Sequence, residues 1–157
     1  MPMSEYMTSI RKRIGSDLLL VPAAGVGVFD DRDRLLLARH VDTGMWGTVG
    51  GAMDPDESPD DAALRELAEE TGLSAEILGL VGAYGGPKCR ITYPNGDQTS
   101  YVAIIYVARL AGGEPVLQRD EIEDIGWFTA EEAVALPKRI EMHDIVPDCF
   151  AAWAALS

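Results

Sequence analysis

The spacing of apolar residues changes along the chain from the repeat of a helix to that of a strand and back. Near the start, Met7, Ile10 and Ile14 share one face of a helix that Ser4 can cap and Gly15 can end. Farther on, short apolar runs bounded by polar or glycine-rich turns predict strands. These runs are residues 23–30, 34–40, 75–85 and 125–129, with residues 45–51 as a short glycine-rich extended piece.

A hairpin and three more helices complete the pattern. Residues 89–110 are predicted to form the hairpin, because Asn95-Gly96 is a strong turn signal between two apolar runs. The predicted helices are residues 58–72, residues 130–136 after a Thr129 cap, and a C-terminal helix ending in residues 149–156. Where Pro147 falls relative to the start of the last helix is open. The mixture predicts an α/β fold in a single domain, residues 1–157, with a mixed sheet between helices and residues 1–16 as an N-terminal helical extension.

The composition is that of a soluble globular protein, with 47% apolar and 25% charged residues among 157. A net charge of −13 argues against binding nucleic acid through its phosphates. A small anionic substrate is still compatible, since bound metal ions can reverse the local field. No run approaches the roughly 20 apolar residues that span a bilayer, and the start of the chain is too polar for a signal peptide. Cys89 and Cys149 are therefore expected to be reduced thiols of a cytoplasmic protein without a membrane partner.

The predicted helix over residues 58–72 carries Glu66, Glu69 and Glu70 within an arc of about 100°. The opposite side is predicted to anchor the helix through Ala63, Leu64, Leu67 and Ala68. Like charges three and four residues apart repel by roughly 0.2–0.5 kcal/mol per pair. A solvated acidic face is the simplest explanation of this pattern. The alternative is a face that holds divalent cations, since Mg²⁺ prefers carboxylate oxygens and would remove the repulsion.

The residues around this helix favour a cation site. Gly50-Gly51 lets the backbone pass close to a neighbour, and Glu57 lies just before the helix. Arg65 can pair bidentately with Glu57 or, one turn on, with Glu69.

The spacing of these residues resembles a known family. Gly51, five residues, Glu57, seven residues, and then Arg65-Glu66-Leu67-x-Glu69-Glu70-x-Gly72-Leu73 match the Nudix box at every specified position. The resemblance implies the Nudix fold, an α/β/α sandwich, over roughly residues 18 to 155. It also implies hydrolysis of a pyrophosphate bond in a nucleoside diphosphate linked to another group, such as ADP-ribose or another nucleotide.

The resemblance also implies residue roles. The expected ligands of Mg²⁺, or of Mn²⁺, are Glu66, Glu69, Glu70 and the carbonyl of Gly51. Arg65 and Glu57 are expected to fix the loop against the helix, and Glu57 could contact a metal ion through water. Glu66 could also orient the attacking water, but the general base differs between members of the family and stays open here.

Outside the box, Arg39 and Glu121 are the further candidates. Arg39 lies at a strand end where many relatives carry a basic residue that faces the substrate, and a surface arginine is the alternative. Glu121 is the first choice for an additional metal ligand or base, with Glu123 second and a plain acidic loop as the alternative. His40 and His143 have no partner at ligand spacing and receive no role.

Three other features bear on the comparison with the family. Val49 stands where the family commonly has proline before the two glycines, which should change loop stiffness and not chemistry. Trp46 is expected to pack and not to stack on a base. Residues 93–97, "YPNGD", together with the "IRKRIG" helix, resemble a bacterial subgroup described as ADP-ribose pyrophosphatase-like.

The leading interpretation is thus an Mg²⁺-dependent Nudix hydrolase with a small nucleotide-diphosphate substrate. A non-catalytic Nudix-fold sensor of ADP-ribose or a nucleotide is the alternative, but such proteins usually have eroded boxes. An isomerase of the same superfamily would need metal-binding His and Cys residues that are not grouped here. By similarity to relatives, a homodimer is also expected.

Overall fold

A mixed β-sheet separates the helices into two layers. The structure, a computed structural model, describes residues 3–157. Its helices are α1 (Glu5–Ile14), α2 (Pro59–Thr71), α3 (Ala130–Ala135) and α4 (Met142–Ala154), with a 3₁₀ turn at Pro87–Cys89. Its strands are β1 (Leu19–Phe29), β2 (Leu35–His40), β3 (Trp46–Gly47), β4 (Val49–Ala52), β5 (Leu73–Tyr84), β6 (Arg90–Thr92), β7 (Gln98–Gly113) and β8 (Ile122–Phe128).

The sheet runs in the order β3-β2-β1-β7-β5, and three short partners extend it. Strand β1 is parallel to β7 along its whole length, from Leu19 opposite Thr99 to Phe29 opposite Arg109. On its other side β1 pairs antiparallel with β4, while β8 pairs with β2 and β6 with β7. Parallel and antiparallel neighbours in one sheet confirm the mixed α/β fold that the sequence predicts.

Alternation along the strands builds a core on each face of the sheet. In β2, Leu36 and Ala38 face the cluster that includes Leu67 of α2. Leu35 and Leu37 face the opposite cluster, which includes Ile145 of α4. Because successive side chains of a strand point to opposite faces, one apolar run supplies both cores. The resulting layers, α2, sheet, and α3 with α4, are the α/β/α sandwich implied by the resemblance.

The buried face of α2 differs from the prediction. Glu66 and Glu70 are buried, only Glu69 of the three carboxylates is exposed, and Ala68 is also exposed. The residues of α2 that are buried are Ala62, Ala63, Glu66, Leu67, Glu70 and Thr71. Residues four apart share a helix face, so the row Ala62, Glu66, Glu70 lies against β1 and β4 beside the apolar row. The prediction that all three glutamates lie opposite the anchoring face was therefore wrong.

The ends of α2 and the start of α4 show where local sequence signals sufficed and where they did not. Gly72 adopts the left-handed conformation, at φ 75°, and its N–H donates to the Ala68 carbonyl at 2.9 Å, so it ends the helix where the predicted range of residues 58–72 ends. Ser58 occupies the N-cap position, but its hydroxyl is 2.6 Å from Asp60 Oδ1 and does not cap the backbone. Pro147 lies inside α4, which the sequence left open.

Helix α1 is attached to the sheet by one arginine. Ser4 caps the helix by accepting from the Met7 N–H at 3.2 Å, as predicted. Arg11 donates to the Gln98 carbonyl at 2.8 Å and the Thr99 hydroxyl at 3.1 Å, at the start of β7. Over residues 3–157, no helix has both the length and the apolar character needed to cross a membrane.

Candidate active site

One large cleft, of about 1140 Å³, lies between α1, α2, β4 and the loops that follow β2, β6 and α3. Gly51, Arg65, Glu69, Glu70 and Glu121 line it. The structure thus gathers most of the predicted site residues around one open space. Glu57 and Glu66 do not line the cleft, but both contact Arg65, which does.

Arg65 is the centre of the polar network in this cleft. Its Nε donates to Glu57 Oε2 at 2.6 Å and its Nη2 to Glu57 Oε1 at 2.9 Å, a bidentate pair. Its Nη1 donates to Glu66 Oε1 at 3.0 Å and to Glu69 Oε2 at 3.2 Å. The two pairings that the sequence offered as alternatives therefore coexist, because the planar guanidinium presents five donors.

The network also fixes the loop before α2. Arg65 Nη2 donates to the Ala52 carbonyl at 3.2 Å, and Glu57 Oε1 accepts from the Asp54 N–H at 3.0 Å. The hydrogen bond from Arg65 holds the pKa of Glu57 below its usual range. An ionised Glu57 thus ties the loop to both the helix and the end of β4.

Breaking this pair should reveal the coupling. Arg65→Lys keeps the charge but loses the planar fork, so we expect lower activity through misplacement of the loop. Arg65→Ala and Glu57→Ala should be non-additive in a double-mutant cycle on kcat/KM, with a coupling energy of about 0.5–3 kcal/mol. Simple addition of the two effects would mean that the residues act separately.

Glu66 and Glu70 form a buried carboxyl pair one turn apart on α2. They are 0% and 2% exposed, and the Oε2 atom of each is buried without a hydrogen-bond donor among the described residues. Burial raises the pKa of Glu66, and it raises the pKa of Glu70 to about 9, where the charge of Glu66 adds to the effect. Burial of the pair without donors for these two oxygens therefore favours the neutral form of Glu70.

The backbone of β4 comes unusually close to β1 at this site. A Cβ on Gly50 would lie 2.6 Å from the Ala24 carbonyl oxygen, so a side chain cannot be accommodated there. Gly51 pairs with Ala24 in the ladder and lines the cleft. Val49, the departure from the family pattern, is fully buried in the core and offers no ligand.

The residues of this site fit a divalent cation in chemistry. Two buried carboxylate oxygens without donors, a third carboxylate in Glu69 and a nearby backbone carbonyl at Gly51 are the oxygen donors that Mg²⁺ and Mn²⁺ prefer. Across residues 3–157, no three His, Cys, Asp or Glu side chains are gathered closely enough to hold a metal ion as they stand. Since the Glu69 carboxylate pairs with Arg65, it would have to turn toward Glu66 and Glu70 for all three carboxylates to bind one metal ion.

The loop before β8 brings two more residues to the helix. The Gln118 N–H donates to the Glu70 carbonyl at 3.0 Å, and Gln118 and Glu121 both line the cleft. The Glu121 carbonyl accepts from the Val41 N–H at 2.8 Å, which fixes the loop to the end of β2. Sequence reasoning selected Glu121 but missed Gln118, for which no local pattern exists.

Arg39 and Trp46 lie at the rim of the sheet. Arg39 Nε is 2.8 Å from Glu123 Oε2, and its guanidinium lies 5.6 Å from the centre of the Trp46 ring. Arg39 is not among the residues that line the cleft. Trp46 packs edge-on against Phe128 at 5.1 Å, consistent with the packing interpretation, although part of it also borders the cleft.

Comparison with known proteins assigns the family. A sequence profile of the NUDIX domain matches residues 19–149. The chain belongs to the NUDIX family. The match covers the box and every strand of the sheet, and it agrees with the assignment made from the spacing of the box residues.

Three similar proteins illustrate the relationship. The chain is 35% identical over 107 residues to the NAD-capped RNA hydrolase NudC of Pseudomonas putida, covering 67% of this chain and 35% of that protein. It is 31% identical over 129 residues to a MutT-like protein of Streptomyces ambofaciens, covering 81% of this chain and 75% of that protein. An ADP-ribose pyrophosphatase from Streptococcus suis has the same fold with a TM-score of 0.67 and 25% identity, over 84% of this chain and 90% of that one. The chain spans about a third of the length of the NudC relatives it matches.

Proposed function

We propose that this NUDIX protein is an Mg²⁺-dependent hydrolase that cleaves the pyrophosphate bond of a nucleoside diphosphate linked to another group. The observation that carries the proposal is the buried Glu66–Glu70 pair beside Glu69 and Arg65, at the edge of a cleft of about 1140 Å³. Mn²⁺ would serve in place of Mg²⁺, since both take oxygen ligands. The substrate class is a nucleotide sugar such as ADP-ribose, or a nucleotide.

The chemistry asks for charge neutralisation and an activated water. Bound divalent cations would neutralise phosphoryl oxygens and lower the pKa of a coordinated water. Glu66, Glu69, Glu70 and the Gly51 carbonyl are the residues that would hold them.

The chain's own groups set up this site. Arg65 keeps Glu66 Oε1 in place through a 3.0 Å hydrogen bond, and its bidentate pair with Glu57 fixes the loop. Glu66 and Glu70 would hold a cation in their ionised forms, since carboxyl ligands have to be deprotonated to bind a metal ion. Glu121 and Glu66 are the two candidates for the group that orients the attacking water.

Names of similar proteins support this substrate class. One relative is an NAD-capped RNA hydrolase, and one structural neighbour is an ADP-ribose pyrophosphatase. The net charge of −13 favours a small nucleotide over a polymeric nucleic acid for this chain. A homodimer, a cytoplasmic location and a substrate contact by Arg39 stay predictions.

A substrate panel tests the proposal. We expect Mg²⁺-dependent release of phosphate-bearing products from at least one nucleotide sugar, nucleoside diphosphate or triphosphate, or dinucleoside polyphosphate, and no release in EDTA. The matched control is Glu66→Gln, which keeps the size of the side chain and removes a charge, and it should release far less product than the parent in the presence of Mg²⁺. Nucleotide binding without turnover across the panel would favour the sensor alternative, and neither binding nor turnover would contradict both.

A further inference from the structure

The cleft is lined by three arginines among the described residues, and they differ in the donors that remain available. These are Arg11, Arg65 and Arg139. The donors of Arg65 are taken up by Glu57, Glu66, Glu69 and the Ala52 carbonyl, as described above. Arg11 is similarly occupied, because its Nη1 donates to the carbonyls of Gly15 and Asp17 and its Nη2 to Gln98 and Thr99. Neither guanidinium can bind a ligand without giving up contacts that hold the fold.

Arg139 is different. Its Nε lies 3.2 Å from Glu141 Oε1, and within residues 3–157 its two Nη atoms have no hydrogen-bond partner. Its side chain is 29% exposed and borders the cleft, so these donors are accessible from it. The planar guanidinium carries its two Nη groups side by side, the geometry that binds two oxygens of a phosphate, and the contact at Nε fixes its orientation.

The backbone around Arg139 is held firmly. The neighbouring Lys138 is buried, and its Nζ donates to the carbonyls of Ala133 at 2.7 Å and Leu136 at 2.8 Å at the end of α3. The Trp46 N–H donates to the Pro137 carbonyl at 2.9 Å, which ties the loop to β3. A donor on a fixed loop loses little freedom when a ligand binds, so its contact is more favourable.

The charge of Arg139 also acts inside the cleft. Burial lowers the pKa of His40, another lining residue, and the positive charge of Arg139 lowers it further. In a chain of net charge −13, an arginine with available donors beside the cleft makes the local electrostatic potential more positive, which favours an anionic ligand.

We propose that Arg139 binds a phosphoryl group of the substrate, and that Glu141 is the residue that positions its guanidinium. The inference rests on the proposed function, since it assumes a phosphate-bearing substrate in this cleft. It adds a direct contact from the protein to the substrate's negative charge, on the loop before α4 and separate from the carboxylates of α2.

Steady-state kinetics on the full chain give the first test. Arg139→Ala should raise KM about 10-fold or more, the effect of losing a hydrogen bond to a charged group, while kcat changes much less. Arg139→Lys should recover part of the loss, because it restores the charge without the fork. Arg139→Gln is the second variant and should behave like alanine with less effect on packing. Glu141→Gln should raise KM by a smaller factor, since it leaves Arg139 present but less well oriented.

The matched control is Arg32→Ala, which removes an exposed arginine from the turn between β1 and β2, outside the cleft. An equal rise in KM for this control would assign the effect to net charge and would overturn the proposal. Unchanged KM in both Arg139→Ala and Arg139→Gln, with turnover by the parent, would overturn it while leaving the proposed function intact.

Binding in EDTA separates the two proposals. By calorimetry, the parent should bind adenosine monophosphate or ribose 5-phosphate more tightly than adenosine or ribose, and Arg139→Gln should lose that preference. If Arg139→Gln weakens the binding of only one of the two phosphate-bearing probes, that probe represents the half of the substrate whose phosphate Arg139 contacts. If Arg139→Gln loses the preference for the phosphate-bearing probes but the parent turns over no substrate, the result would support the contact and contradict the proposed hydrolase. An unchanged preference in the variant, or no preference in the parent, would contradict the contact.

Discussion

Replacing Glu69 or Glu70 by glutamine should lower kcat about 100-fold or more. Glutamine keeps the size of the side chain but removes a charge, and loss of one electrostatic stabiliser of a transition state costs on this order. The two positions differ in burial, since Glu70 is 2% exposed whereas Glu69 is exposed and pairs with Arg65. A common large effect would therefore follow from metal binding and not from a shared role in packing.

The measurement is turnover of the best panel substrate at saturating Mg²⁺. Glu131→Gln, at an exposed position in the first turn of α3, is the matched control and should leave kcat unchanged. Near-normal turnover in both the Glu69 and the Glu70 variant would contradict the assignment of these residues as metal ligands.

The sequence predicted the parts of the site that depend on short spacings. Arg65 and Glu69 are four residues apart, so helix geometry places their side chains together once α2 is recognised. Glu57 lies in the loop just before α2, close enough along the chain for its pairing with Arg65 to be expected. Gly72 likewise ends α2 because of its own conformational freedom, at φ 75°. Such features need no knowledge of the rest of the chain.

The burial of Glu66 and Glu70 could not be predicted in the same way. A helical projection shows which residues share a face, but the face that meets the sheet is decided by what β1 and β4 present. The position of α2 leaves two carboxyl groups inside, against the usual preference of Glu for water. Functional sites are the places where such exceptions are expected.

Arg139 and Gln118 were missed for a different reason. Each lies in a loop with no periodic pattern, and each reaches the cleft only because strands distant in sequence are neighbours in the sheet. Arg139, for example, is placed by the contact between Trp46 and Pro137, more than 90 residues apart. Contacts of this range are a property of the fold, so single-sequence reasoning cannot supply them.

Raising the pH should destabilise the metal-free parent more than it destabilises Glu70→Gln. In the folded protein burial raises the pKa of Glu70 from its ordinary value of 4.5, which it has in the unfolded chain, to about 9. Because the folded state binds the proton more tightly, the stability linked to this group is complete below the unfolded pKa. It is lost as the pH rises toward 9, by at most about 1.4 kcal/mol per pH unit.

Thermal melts of both proteins in EDTA at several values between pH 5 and pH 9 test this. Glutamine has no proton to lose, so the variant should melt at an equal or higher temperature than the parent at neutral pH, and its advantage should grow by several degrees toward pH 9. The other titrating groups are common to both proteins and largely cancel in the difference. Millimolar Mg²⁺ should then stabilise the parent by binding to the folded state, and the variant noticeably less.

If the buried carboxyl pair is retained for cations, the variant should be both at least as stable as the parent in EDTA and less stabilised by Mg²⁺. A charge that costs stability when the site is empty, and returns it when Mg²⁺ binds, is the trade expected of a functional residue. A variant that is clearly less stable in EDTA at pH 8.5, with an undiminished response to Mg²⁺, would show the opposite. Glu70 would then be a structural residue of α2, held protonated beside Glu66, and the cation would have to be bound elsewhere in the cleft.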